Sequence, residues 1–135
     1  MKRLRLPLFA LLAFCMGLAA CDKTAEEQVT LSGTYKGTFE RRGLQQTKKA
    51  AVSLTFAGNS WEGSTDTPQY PALCNGKFLL TVNQVKFSNA CTWPVNLDGS
   101  LILSGDYALQ FSGEVITLTK VYKSGERDIY SLTKQ

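Results

Sequence analysis

From Leu31 to the end of the chain, apolar and polar side chains alternate with a period of two, and Gly, Asn or Ser breaks the alternation at short intervals. That period marks strands buried on one face. Nowhere in this stretch do apolar residues hold helical spacing for three turns. The pattern predicts strands at Gly33–Arg41, Ala51–Phe56, Ser60–Thr65, Gly76–Thr81, Gln84–Asn89, Leu101–Gln110, Glu114–Tyr122 and Glu126–Thr133. Eight short strands in succession, joined by turn residues, make an antiparallel meander.

The turns set registers, and a sound register places apolar residues opposite one another on one face. A two-residue turn at Gly58-Asn59 sets Phe56 across from Trp61 and Leu54 across from Gly63. Another at Ser112-Gly113 sets Leu109 against Ile116 and Tyr107 against Leu118. The loop Lys123-Ser124-Gly125 suits a type I turn with a glycine bulge, and sets Leu118 against Tyr130 and Ile116 against Leu132. Ile116 and Leu118 then serve two hairpins in one parity. A turn at Val82-Asn83 sets Leu80 against Val85 and Phe78 against Phe87, although Val82 is unfavourable there and a longer loop stays open. Carried outward, this register brings Cys74 opposite Cys91, at about the separation a disulfide needs. A Cys74–Cys91 bond is expected if the chain reaches an oxidising compartment.

An open meander leaves two bare edges, which pairing of the first and last strands removes. Gly33, Gly37, Gly63 and Gly105 fall inside strands, where glycine permits the bends of a small barrel. A two-sheet sandwich is the alternative, but the sequential order favours closure. The expected fold class is therefore all-β, a single eight-stranded antiparallel up-and-down barrel over residues 31–135 with one disulfide. The opening Leu31-Ser32-Gly33-Thr34-Tyr35 resembles the Gly-x-Trp entry of lipocalin-type barrels, with tyrosine at the tryptophan position. Gly105-Asp106-Tyr107 is similar to another lipocalin segment. The resemblance implies that Tyr35 packs under the barrel beside an arginine from the last strand, where Arg127 stands. The chain is shorter than a typical lipocalin and has no C-terminal helix pattern. It is closer to the small lipocalin-like domains of bacterial lipoproteins.

The first 20 residues differ in kind. Lys2, Arg3 and Arg5 precede an almost unbroken apolar run that ends in Leu18-Ala19-Ala20-Cys21. Basic start, apolar middle and small residues before the cleavage point mark a secretory signal. The run is short of the roughly 20 residues a spanning helix needs. With cysteine directly after Leu-Ala-Ala, the segment resembles the lipobox of bacterial lipoproteins. That resemblance implies cleavage before Cys21 and its acylation with chains such as palmitate. Residues 1–20 are then a lipoprotein signal peptide, residues 21–30 a flexible lipidated tether, and residues 31–135 the barrel. The protein would be membrane-anchored and extracytoplasmic, periplasmic-facing or at the cell surface, with the outer membrane ahead of the inner.

Three of the chain's 15 basic residues and none of its 11 acidic ones lie in the leader, so a net charge of +4 falls to +1 without it. Such a domain lacks the concentrated basic face that nucleic acid requires, and none is expected as a partner. The chain contains no histidine, which removes the commonest general base and metal ligand. Glu62, Asp66, Asp98 and Asp106 are the carboxylates near strand ends, outside any recognisable motif, and read as solvated surface groups. No enzyme activity, metal or cofactor is expected. The lipocalin resemblance implies a small apolar ligand in the barrel mouth, for which Trp61, Tyr70, Trp93 and Tyr107 are the candidates. The bland reading of these four is packing. The alternative function is a protein-binding or inhibitor module at the cell envelope. Arg41, Arg42, Lys48 and Lys49 form a basic first hairpin tip that would meet headgroups or an acidic partner, or simply keep the loop solvated.

Overall fold

A computed structural model describes residues 29–43 and 47–135. The leader, Cys21 and most of the expected tether lie outside the described residues. The strands are β1 (Gly33–Arg42), β2 (Lys48–Ala57), β3 (Ser60–Thr65), β4 (Asn75–Leu80), β5 (Gln84–Asn89), β6 (Gly105–Ser112), β7 (Val115–Val121) and β8 (Arg127–Lys134). Each pairs antiparallel with its neighbour in sequence, and β1 pairs with β8 to close the barrel. The all-β up-and-down barrel expected from the alternation is the observed fold.

Closure brings β1 and β8 close together at Gly37. A Cβ there would run into the Ser131 carbonyl oxygen, so glycine is required for the approach. Inward positions carry the core. Tyr35 and Phe39 of β1, Leu54 and Phe56 of β2, Trp61 of β3, Val85 and Phe87 of β5, Tyr107 and Leu109 of β6, and Tyr130 and Leu132 of β8 are all buried. Their rings form a continuous column. Phe56 lies 6.4 Å from Phe87, Phe87 5.7 Å from Tyr107, Tyr107 5.9 Å from Tyr130 and Tyr130 4.8 Å from Phe39. Most outward positions are polar, with Lys36, Thr38, Glu62, Ser64, Lys77, Lys86 and Ser88 all exposed; Leu79, Val115 and Val121 are the large apolar exceptions at strand ends. A barrel that faces lipid has the reverse arrangement.

Three of the four expected hairpin registers are observed: Phe56 opposite Trp61, Phe78 opposite Phe87, and Leu118 opposite Tyr130. The Val82-Asn83 tip is a short turn without positive φ, closed by the Thr81 amide donating to the Gln84 carbonyl at 2.9 Å. The β6–β7 register differs. Leu109 faces Leu118 and Phe111 faces Ile116, so the turn is Gly113-Glu114 and not Ser112-Gly113. Gly113 has φ 61° at the first central position, the site where a type II′ turn needs glycine.

β6 also starts later than expected, at Gly105. Gly99–Leu101 forms a 3-10 turn, and Ile102 bridges Ala72 in parallel, outside the barrel ladder. The pairing implied for Tyr35 and Arg127 is not found. Tyr35 lies opposite Lys134 and packs edge-on against Phe56 at 5.7 Å, whereas Arg127 lies opposite Arg42 at the other end of the β1–β8 ladder.

Candidate functional site

One barrel end carries three tight turns and the entering chain at Val29. The other carries the two long loops, 66–74 between β3 and β4 and 90–104 between β5 and β6. These loops form a crown over the barrel and are tied together twice. The Cys74–Cys91 disulfide joins them with Cα atoms 6.3 Å apart. The Ala72 amide donates to the Leu101 carbonyl at 2.9 Å, and the Leu103 amide to the Ala72 carbonyl at 3.3 Å. Ala72, Leu73 and Leu103 are buried and plug the lumen beneath.

A charged network fastens the crown to the barrel rim. Tyr35, Gly37 and Phe39 set the inward parity of β1, and Arg41 continues it. Asp128 continues the inward parity of Tyr130 and Leu132 on β8 and lies directly opposite Arg41. Arg41 Nε donates to Asp128 Oδ1 at 2.6 Å and Nη2 to Oδ2 at 2.8 Å, a bidentate pair. The Asp128 side chain is only 1% exposed. The Tyr122 hydroxyl donates to Asp128 Oδ2 at 2.7 Å. The remaining Arg41 donors reach the 90–104 loop: Nη1 to Ser100 Oγ at 2.9 Å and Asp98 Oδ2 at 3.3 Å, Nη2 to the Ser100 carbonyl at 3.1 Å. Asp98 caps the 3-10 turn, its Oδ1 accepting from the Ser100 amide at 3.0 Å and hydroxyl at 2.6 Å. These bonds, with Arg41 behind them, hold the Asp98 carboxyl below its ordinary range. The hydrogen bond to Asp128 in turn raises the Arg41 pKa.

The network converges on the protein's own loop backbone. Among the described residues no group of three or more acids and cysteines is disposed to hold a metal. Of the carboxylates singled out in the sequence, Asp98 is part of this network. Asp66 accepts from the Ala51 amide and the Thr67 hydroxyl, both at 3.0 Å, while Glu62 and Asp106 are exposed.

The structure does not bring the four candidate ligand-binding aromatics to one surface. Trp61 and Tyr107 are buried on either side of Phe87, with Trp61 Nε1 donating to the Ser88 carbonyl at 3.0 Å. Tyr70 stands at the crown, where its hydroxyl donates to the Lys48 carbonyl at 2.9 Å and its ring packs on Phe39. Trp93 is half-buried in the 90–104 loop. A cleft of about 510 Å³ on the outer face of β2–β5 is lined by Thr55, Ser60, Glu62, Lys77 and Ser88 with the edge of Trp61.

The basic hairpin tip is partly paired: Arg41 has its own carboxylate, Arg42 and Lys49 share one, and Lys48 has none among the described residues. Arg41 is paired inward, Arg42 lies 2.6 Å and Lys49 3.7 Å from the Glu40 carboxylate, and the Lys48 ammonium sits over the Tyr70 ring at 4.6 Å. The Arg41–Asp128 pair was missed because an arginine near a hairpin tip reads as solvated. Its signal was the parity of both strands.

All five tyrosines have raised pKa values, chiefly through burial, with the Asp128 charge adding at Tyr122. A raised pKa favours the protonated, folded form, so this stability is complete below the unfolded value of about 10 and declines as pH rises beyond it. Absorbance at 295 nm should therefore show Tyr107, Tyr122 and Tyr130 silent in the ordinary range while the barrel is folded, with Tyr35 and Tyr70 displaced upward. The first three are expected to ionise in a late step coincident with loss of circular dichroism. Ionisation of more than two tyrosines around pH 10 in a folded barrel would contradict the burial.

Comparison with models of known families, with curated proteins and with solved structures returned no match for this chain. The class of protein that the geometry defines is thus a closed, eight-stranded antiparallel β-barrel with a disulfide-tied loop crown.

Proposed function

We propose that this protein is an exported, lipid-anchored lipoprotein of the bacterial cell envelope, with a lipocalin-like barrel that binds a protein partner through its outer surface and carries no catalysis. Of the two non-enzymatic readings, the geometry favours the protein-binding module over a carrier of small apolar ligands. One observation carries that choice: the lumen is filled by the chain's own rings, and Ala72, Leu73 and Leu103 close its mouth. A carrier needs an enclosed apolar space that buries most of its ligand. A binding module needs loops already held in one shape, because ordering them on association costs affinity. The double tie between the crown loops and the Arg41 contacts supply that rigidity.

The anchor part of the reading rests on Lys2, Arg3, Arg5 and the Leu18-Ala19-Ala20-Cys21 run. Expressed in a bacterium, the full chain should pellet with membranes and yield an N-terminal peptide that begins at acylated Cys21. Cys21→Ser should remain an unprocessed precursor. A mature N-terminus elsewhere, or an unmodified Cys21, would reject the anchor. Non-denaturing mass spectrometry of the same preparation separates the two binding readings. The acylated chain alone is expected, and a stoichiometric non-covalent lipid would restore the carrier.

A further inference from the structure

We propose that the barrel end opposite the crown rests on the membrane surface, with Leu79, Val82 and Phe111 entering the headgroup region of the bilayer. The inference rests on the acylation of Cys21 proposed above and specifies which end of the molecule meets the lipid. Leu79 is 66% exposed, Val82 80% and Phe111 44%, and Val115 beside them is exposed as well. They come from adjacent hairpins, because β5 pairs with β4 on one side and β6 on the other. The Leu109 amide donates to the Asn83 carbonyl at 2.8 Å, which holds the Val82-Asn83 tip against the strand that runs on to Phe111. Lys86 lies directly opposite Leu79, and the Lys134 amide donates to the Glu114 carbonyl at 3.1 Å beside the next turn. Both lysines are exposed, but Asp106 lies directly opposite Lys86 and Glu114 sits in the turn beside Lys134. The rim therefore meets lipid through its apolar side chains more than through charge.

Chain length commits this apolar rim to a lipid surface. Val29 packs against the core at this same end, and Cys21 lies eight residues upstream of it. Eight residues reach at most about 28 Å when fully extended. The 10-residue strand β1, tilted as barrel strands are, rises about 26 Å along the barrel axis. Laying the crown on the bilayer would stretch the tether to nearly its full length along the whole barrel. Resting on the tether end requires no such extension. The anchor also holds the rim at high effective concentration near the bilayer, so a few apolar side chains suffice to orient the barrel. In this orientation the crown points away from the membrane, toward a partner.

The test places a tryptophan at each end of the full chain, as Val82→Trp and Val95→Trp. Both native residues are highly exposed, so neither change disturbs the core. Each variant is bound to vesicles of phosphatidylethanolamine and phosphatidylglycerol, with or without brominated acyl chains. The mass of the Cys21 peptide is measured on the same sample. The emission added at position 82 should fall by about half with brominated lipid, and that at position 95 should not change. No quenching at 82, or equal quenching at both positions, overturns the orientation whatever the state of Cys21. Quenching at 82 with an unmodified Cys21 upholds the docking surface and rejects the anchor alone.

Discussion

Asp128→Ala is expected to destabilise the barrel by about 3–5 kcal/mol, because it leaves the Arg41 guanidinium in a half-buried rim without its main counter-charge. The carboxylate takes both arms of the guanidinium and the Tyr122 hydroxyl, at 2.6, 2.8 and 2.7 Å. Burying these charges costs solvation, and the bidentate geometry offsets that cost only while both partners are present. Small domains have about 5–15 kcal/mol in all, so the single change removes a large share. The double change Arg41→Met with Asp128→Leu should cost far less, about 1 kcal/mol, because it leaves no charge stranded. Chemical denaturation midpoints of the two variants decide the matter. A single mutant within about 1 kcal/mol of the parent would show that the pair is not the fastening described here.

The contrast between this pair and the rest of the barrel shows where sequence reasoning reached its limit. Strand pairs joined by short turns were legible, because the turn fixes the register and apolar parity checks it, as at Gly58-Asn59 and Lys123-Ser124-Gly125. Parity cannot separate registers that differ by one residue on each strand, and this is where the β6–β7 turn was misplaced. Moving the turn from Ser112-Gly113 to Gly113-Glu114 keeps apolar opposite apolar. Only the positive φ at the first turn position distinguishes the two. Arg41 and Asp128 lie 87 residues apart, on strands joined by closure and not by a turn, so no local signal set them opposite each other. The start of β6 was lost to another distant contact, the parallel bridge of Ile102 to Ala72. The candidate aromatics Trp61 and Tyr107 were legible as inward-facing. Whether the lumen around them is open is a matter of summed side-chain volume, which alternation does not encode.

The crown owes its shape to covalent and ionic ties of different origin, and removing the covalent one tests the binding reading most directly. Replacing Cys74 and Cys91 by serine should cost about 3 kcal/mol, the chain entropy of a loop of the observed size, since the two cysteines are 17 residues apart. The residues they enclose form the β4–β5 hairpin, whose own register survives without the bond. Beyond that global loss, the local effect should concentrate where the disulfide meets the long loops. Amide exchange at Gly63, Ala72 and Leu103, which donate to the Cys74, Leu101 and Ala72 carbonyls, should accelerate more than exchange along the β1–β8 ladder. The denaturation midpoint should fall while its slope rises, because the unfolded chain without the bond is less compact and exposes more surface. Equal acceleration at the crown and the ladder would mean that the bond acts only through the unfolded chain and does not hold the loops locally. Unchanged exchange at these three amides would mean that the Arg41 network alone holds the loops, and the crown would then keep its binding shape in a reducing medium.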